Sequence, residues 1–230
     1  MEYTKKIVFL ANSRKMSGRC IAGKEVLGAG YGEWIRPISR RETAEISEEE
    51  MRFENGEIPK PLDIIEIPMK EYKPNEYQVE NHVIDDQYYW EKCGNLSVTE
   101  LPELLDVVAD TLWINGHSSY NGINDRILVH DARNNIASSL VLVQPERLSI
   151  TVDIEGPEAI RAKRKVRAFF TLNGHQYRLT VTDPKIEREY LKKINGTYSL
   201  QSKNVYMCVS IGEPYEGYCY KLVAAIITAA

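Results

Sequence analysis

The sequence predicts a mainly β (α+β) fold, two small β-barrels with a helical, acidic insertion between them. Three observations carry that expectation. Short apolar runs rich in β-branched residues recur along the chain, separated by Gly, Pro and Asn turns. Asn173-Gly174 lies between two alternating segments, the strongest short-range hairpin signal and one that favours a type I′ turn. The acidic middle of the chain holds the longest stretch with helical spacing, over 98–114. Hydrophobic residues make up 43% and charged residues 27% of the 230, an ordinary globular composition that excludes a disordered chain. That length suits one large unit or two domains of about 100 residues. Pro145-Glu146 marks the break in pattern, giving 1–146, a barrel with insertions and the helix over 98–114, and 147–230, a second barrel.

In the first half, Lys5 to Ala11 reads as a strand and Asn12 to Gly18 as a polar, basic loop. Arg19 to Val26 follows as a second strand, with Gly23 as a bulge or bend of the kind that lets a sheet curl. Glu33 to Ile38 is a third extended piece. Glu42 to Met51 reads as an acidic helix, Ser47 and the glutamates after it forming a start signal. Asn55-Gly56, Pro59 and Pro61 break the chain before strands over 62–69 and 78–84. Leu101, Leu104, Leu105, Val108, Leu112 and Trp113 place apolar side chains on one face of the 98–114 helix. A Ser-, Asn- and Gly-rich loop spans His117 to Asp125, followed by short strands over 126–130 and 139–144.

The second half has the cleaner pattern: strands over 148–154, 165–172 and 175–181, a helix over 184–194, then strands over 204–211 and 218–227. Thr182 or Asp183 serves as helix N-cap, with Pro184 in the first helical position. Five short strands with one helix between the third and fourth is the layout of an OB-fold barrel, whose strand face and loops commonly hold oligonucleotides.

Several motifs resemble those of bacterial proteins described as dual OB domain-containing: the opening strand with Asn12 to Gly23, the segment Gly32 to Ile38, and the end, Val209 to Pro214 with Tyr220 to Ala225. The resemblance covers nearly the whole chain. It implies two OB-type barrels and, through that fold, recognition of nucleic acid or a nucleotide. The first half departs from the pattern in its insertions between residues 42 and 125.

Charge is unevenly spread. Residues 1–41 carry 9 Lys+Arg against 3 Asp+Glu, residues 42–149 carry 8 against 22, and residues 150–230 carry 12 against 8. Basic ends around an acidic middle give a local positive field on a chain of net charge −4, which phosphate binding needs. The acidic middle reads equally as a solvated surface.

The candidate phosphate contacts are Arg14, Lys15, Arg19 and Arg36 in the first half and Lys165, Arg167 and Arg178 in the second, where Arg161 to Arg167 is a basic run entering a strand. Trp34, Phe169 and Tyr177 are candidate stacking rings. Every base offers a π-face, so rings beside cations suit single-stranded DNA or RNA. Phe169 and Tyr177 also fit a barrel core and the basic run a solvated edge that discourages strand pairing; Trp34 and Arg36 also read as core plus surface.

No metal or cofactor is expected. His82, His117, His130 and His175 lack metal-ligand spacing, and Cys20, Cys93, Cys208 and Cys219 form no Cys-x-x-Cys pair. Cys208 and Cys219 read as buried packing residues, and Asp85-Asp86 as a turn. No 18-residue apolar stretch and no signal peptide are present, so the chain reads as cytoplasmic with no membrane partner. The leading expectation is a non-enzymatic binding module for single-stranded nucleic acid or a nucleotide. The alternatives are an adaptor whose acidic middle docks a protein partner and a nucleotide-processing enzyme using the loop from His117 to Asp131.

Overall fold

The structure is a computed structural model and describes residues 2–156, 162–200 and 204–228. The chain forms two compact units, Met1–Leu105 with Ala137–Ser139, and Asp106–Ile136 with Leu140–Ala230. Compactness therefore divides the chain elsewhere than the pattern break at Pro145-Glu146. The fold is mainly β, with one sheet in each unit.

The first unit contains β1 (Tyr3–Lys15), β2 (Gly18–Leu27), β3 (Gly30–Ile38), β4 (Asp63–Tyr72), β5 (Asn81–Ile84) and β6 (Glu91–Asn95). β1, β2 and β3 form an antiparallel meander, β5 pairs parallel to β3 and antiparallel to β4, and β4 pairs back onto β1. The pairings thus run in a closed ring, with β6 added to the outside of β4. Ile7, Phe9, Ile21, Ile35, Ile65 and Ile67 fill its core. The strands approach most closely at Gly23, where a Cβ would lie 2.1 Å from the Val8 carbonyl oxygen. The β1–β2 register shifts there, between Phe9 and Ala11. The bend read at Gly23 is accordingly a bulge in its partner strand, made to fit by a missing side chain.

The helix expected over 42–51 does not form; the segment is a series of turns. Its start signal is nonetheless built, since Glu50 accepts from the Ser47 N–H at 2.8 Å and Ser47 Oγ accepts from the Glu50 N–H at 3.2 Å. Beyond it, Ile46, Met51 and Phe53 all enter the core, at spacings of five and two that no single helix face provides. Burial overrides local propensity.

The helix expected over 98–114 is also shorter. A 3₁₀ turn spans Val98–Leu104, capped by Ser97 and Glu100 and containing Pro102, and no helix continues after it. Proline removes a helical donor, and the periodic apolar set serves two cores. Leu101 and Leu104 are buried in the first unit, while Leu112 joins the core of the second.

The second unit contains β7 (Arg126–Leu128), α1 (Val129–Asn135), β8 (Leu140–Val143), β9 (Arg147–Glu155), β10 (Lys163–Leu172), β11 (His175–Val181), α2 (Pro184–Leu191), β12 (Gly196–Ser199), β13 (Val205–Tyr215) and β14 (Tyr218–Thr228). The expected strand over 126–130 ends at Leu128, because its partner β14 begins at Tyr218, opposite Leu128. With no further strand to pair, the chain turns into α1. β9, β10, β11, β14 and β13 stand side by side in that order, with β11 and β14 parallel. This repeats the order of β1, β2, β3, β5 and β4. α2 lies between the third and fourth strands of the repeat, with Asp183 accepting from the N–H groups of Lys185 and Ile186 at 2.9 and 3.2 Å. Among the described residues β9 and β13 do not pair with each other; β12 extends the sheet beside β9 and β8 beside β13.

None of the four cysteines is disulfide-bonded, and Cys208 and Cys219 are buried. No helix among the described residues is long and apolar enough to cross a membrane.

Candidate ligand-binding face

The β10–β11 hairpin sets the geometry of the second unit's surface. Asn173 and Gly174 both adopt positive φ, +50° and +75°, the signature of a type I′ turn. That turn pairs Leu172 with His175 and Phe169 with Arg178. Alternation then sends Val166, Ala168, Phe170, Tyr177, Leu179 and Val181 into the core. Lys165, Arg167, Phe169, Arg178 and Thr180 take the outer face.

The structure therefore gathers four of the nominated residues on one sheet face. Lys165 is exposed, and Phe169 and Arg178 are half-buried. Arg167 is buried, holding Glu155 through Nε at 2.6 Å and a second nitrogen at 2.9 Å, with Asp125 at 3.5 Å. Its charge is spent on two carboxylates. Asp125 also accepts from the Ser119 N–H at 2.7 Å, and a Cβ at Gly122 would lie only 1.8 Å from its carboxylate.

Tyr177 faces inward, stacked on Phe170 with centroids 5.2 Å apart, its hydroxyl accepting from the Leu112 N–H and the Asn115 side chain at 3.0 Å each. Beside it is Lys221, which is 1% exposed. The Lys221 ammonium donates to the Ile114 carbonyl at 2.8 Å and to Asn115 Oδ1 at 2.9 Å. Burial pushes its pKa down to about 7, while the nearby charge of Asp125 acts in the opposite sense.

The face continues across a splay between β11 and β14. These strands pair only at Thr180–Leu222 and Val181–Val223. Below that point Ile123 exchanges backbone hydrogen bonds with Arg178, at 3.3 and 3.0 Å, and β7 pairs with β14 through Arg126 and Tyr220. Tyr218 and Tyr220 alternate with buried Cys219 and so share the outer face, both half-buried. The Arg126 guanidinium carbon sits 4.0 Å from the centre of the Tyr218 ring, within cation–π range. His117 lies 5.8 Å from the same ring, and Tyr215, 63% exposed, lies 6.5 Å from Tyr220. A hydrogen bond to Glu216 raises the Tyr215 hydroxyl pKa, and Glu213 and Glu216 place negative charge at the tip of the β13–β14 hairpin. Among the described residues no three His, Cys, Asp or Glu side chains gather as a metal site requires.

Sequence reasoning reaches His117 and Arg126 only through the loop of the enzyme alternative, His117 to Asp131, and misses Tyr215, Tyr218 and Tyr220. The available signal was Tyr218-x-Tyr220, two rings on one strand face, concealed because the strand over 218–227 read as a continuous apolar run.

The nominated residues of the first unit lie in two places. Arg14 and Arg19 are directly opposed across the β1–β2 hairpin, with Lys15 next to them at its tip. Arg19 pairs with Glu48 at 3.2 Å. Trp34 and Arg36 are buried. Lys24 lies 5.6 Å from the Trp34 ring, and Arg36 donates to Ser139 Oγ at 2.8 Å and lies 3.3 Å from Glu80. Arg161 of the basic run lies outside the described residues.

Two copies of one strand order, each with a parallel third–fifth pair, define an OB-fold protein, a frame for binding whose ligand the fold alone does not specify. The chain belongs to the family of the dual OB-containing domain, whose model it matches over residues 5–226. A search of the curated proteins finds no match.

Proposed function

We propose that this protein binds single-stranded nucleic acid or a nucleotide on the outer face of its second unit and catalyses no reaction. One observation carries the reading. Phe169, Tyr218 and Tyr220 are accessible on the same sheet face as Lys165, Arg178 and Arg126. Rings supply stacking surface for bases of any sequence, and the cations offset phosphate charge. Charge distribution supports the same face: the second unit carries 15 Lys+Arg against 13 Asp+Glu, a formal +2, and the first carries 14 against 20, a formal −6.

Arg14, Lys15 and Arg19 offer a weaker phosphate contact at the hairpin tip of the first unit. Trp34, Arg36, Arg167 and Tyr177 support the fold and stay out of ligand contact. The test is a titration of labelled oligo-dT and oligo-rU by fluorescence anisotropy. Binding should weaken steeply between about 50 and 200 mM salt. Tyr218→Ala and Phe169→Ala should each cost about 1–3 kcal/mol. An affinity that is absent at the lower salt, or indifferent to both truncations, would reject the proposal.

A further inference from the structure

Arg126 and Arg178 stand apart from the other half-buried and buried arginines of the outer face. Arg167 is neutralised by Glu155 and Asp125. Neither Arg126 nor Arg178 makes an ion pair or a side-chain hydrogen bond among the described residues, and the Nε of each is buried with no partner. Asp125, next to Arg126 in the chain, is turned to Arg167 and Ser119. A buried guanidinium nitrogen left without an acceptor is unfavourable, and each of these half-buried side chains has one. Arg178 is bridged to Ile123, and Arg126 lies three residues further along that same segment, where it pairs with Tyr220 of β14, so the two planar donor forks belong to neighbouring segments of one sheet. Each also has a ring beside it, Phe169 directly opposite Arg178 and Tyr218 beneath Arg126. Across the sheet the order is ring, cation, cation, ring.

We infer that Arg126 and Arg178 together hold one phosphodiester of a bound single strand, with the bases on its two sides stacked on Phe169 and Tyr218. This rests on the reading of the outer face as a single-strand site and deepens it by assigning the phosphate position. Glu213 and Glu216 flank Tyr215, so the phosphate path runs over the body of the sheet and not over the hairpin tip. The guanidinium pair would also suit free phosphate, and the two sources separate experimentally.

The experiment compares wild type, Arg126→Gln, Arg178→Gln and Phe169→Ala. Each is titrated with oligo-dT, with an abasic deoxyribose-phosphate oligomer of equal length, and with inorganic phosphate as competitor. Each arginine change should weaken both oligomers roughly ten-fold and flatten the slope of log affinity against log salt by about 0.7. Phe169→Ala should weaken oligo-dT alone. Arg126→Lys and Arg178→Lys keep the charge and lose the fork, so they should restore the salt slope but not the full affinity. Matching thermal unfolding of all variants excludes a folding defect as the cause. Arginine variants that keep the wild-type slope while Phe169→Ala still weakens oligo-dT would overturn the clamp and leave the site reading intact. Wild type that binds no oligomer overturns both, and inorganic phosphate that binds as tightly as the oligomers overturns the assignment to a phosphodiester.

Discussion

Lys221 shows how one buried charge can control the stability of its surroundings. Its ammonium ties the segment carrying Ile114 and Asn115 to the inner side of β14. The folded-state pKa is near 7 against an ordinary value of 10.5, so between those values the unfolded chain binds a proton that the folded chain does not. Stability must then rise with pH through that window, by up to about 1.4 kcal/mol per pH unit from this group. Urea unfolding at pH 7 and 9.5 should show wild type gaining relative to Lys221→Met as pH rises. A difference between the two proteins that stays constant with pH would mean that the ammonium is solvated. The same residue shows why individual roles were hard to read from the sequence. A lysine in an apolar strand gives no sign that it faces inward, and Trp34 and Tyr177 give none that their rings are sealed while Tyr218 and Tyr220 stay accessible. Ring identity is visible in sequence, but exposure depends on which strand face the fold closes over.

At the scale of elements, legibility followed the length of the interactions involved. The hairpin at Asn173-Gly174 with its strands β10 and β11, and the N-cap at Asp183, depend on neighbours in the chain, and all are readable. The segments 42–51 and 98–114 carried true helix-start signals, at Ser47 and Ser97, and formed turns because distant cores claimed Met51, Phe53 and Leu112. β6 and β12 were not read at all. β6 is a short, mostly exposed edge strand, without the apolar alternation that marks a half-buried one. Gly23 belongs to this scale too, because its role is to let β1 and β2 approach. Gly23→Ala places a methyl group 2.1 Å from the Val8 carbonyl oxygen, a backbone clash that no rotamer relieves. The variant should lose several kcal/mol and unfold the first unit at lower denaturant, since overpacking of this kind costs about 1–3 kcal/mol even where side chains can adjust. Unchanged unfolding midpoints would show that the bulge relaxes freely.

Over the whole molecule, the division of charge decides which cations matter. The basic termini suggested by the sequence are distributed differently once the chain folds into two units. The 1–41 segment joins an acidic stretch in a unit of formal charge −6, while the basic run after residue 161 lies in a unit of +2. Within the first unit Arg19 already has Glu48 at 3.2 Å, and an exposed pair of that kind leaves little net field for a ligand. Phosphate affinity should therefore depend mainly on the second unit. Neutralising Arg14, Lys15 and Arg19 to Gln together should reduce oligo-dT affinity by less than about three-fold. Neutralising Lys165 and Arg178 together should reduce it by more than about ten-fold and remove a larger share of the salt dependence. Anisotropy titrations of both variants over a salt series measure the two effects directly. The reverse ranking would move the site to the β1–β2 hairpin, making local cation density there a stronger influence than the net field of the unit that carries it.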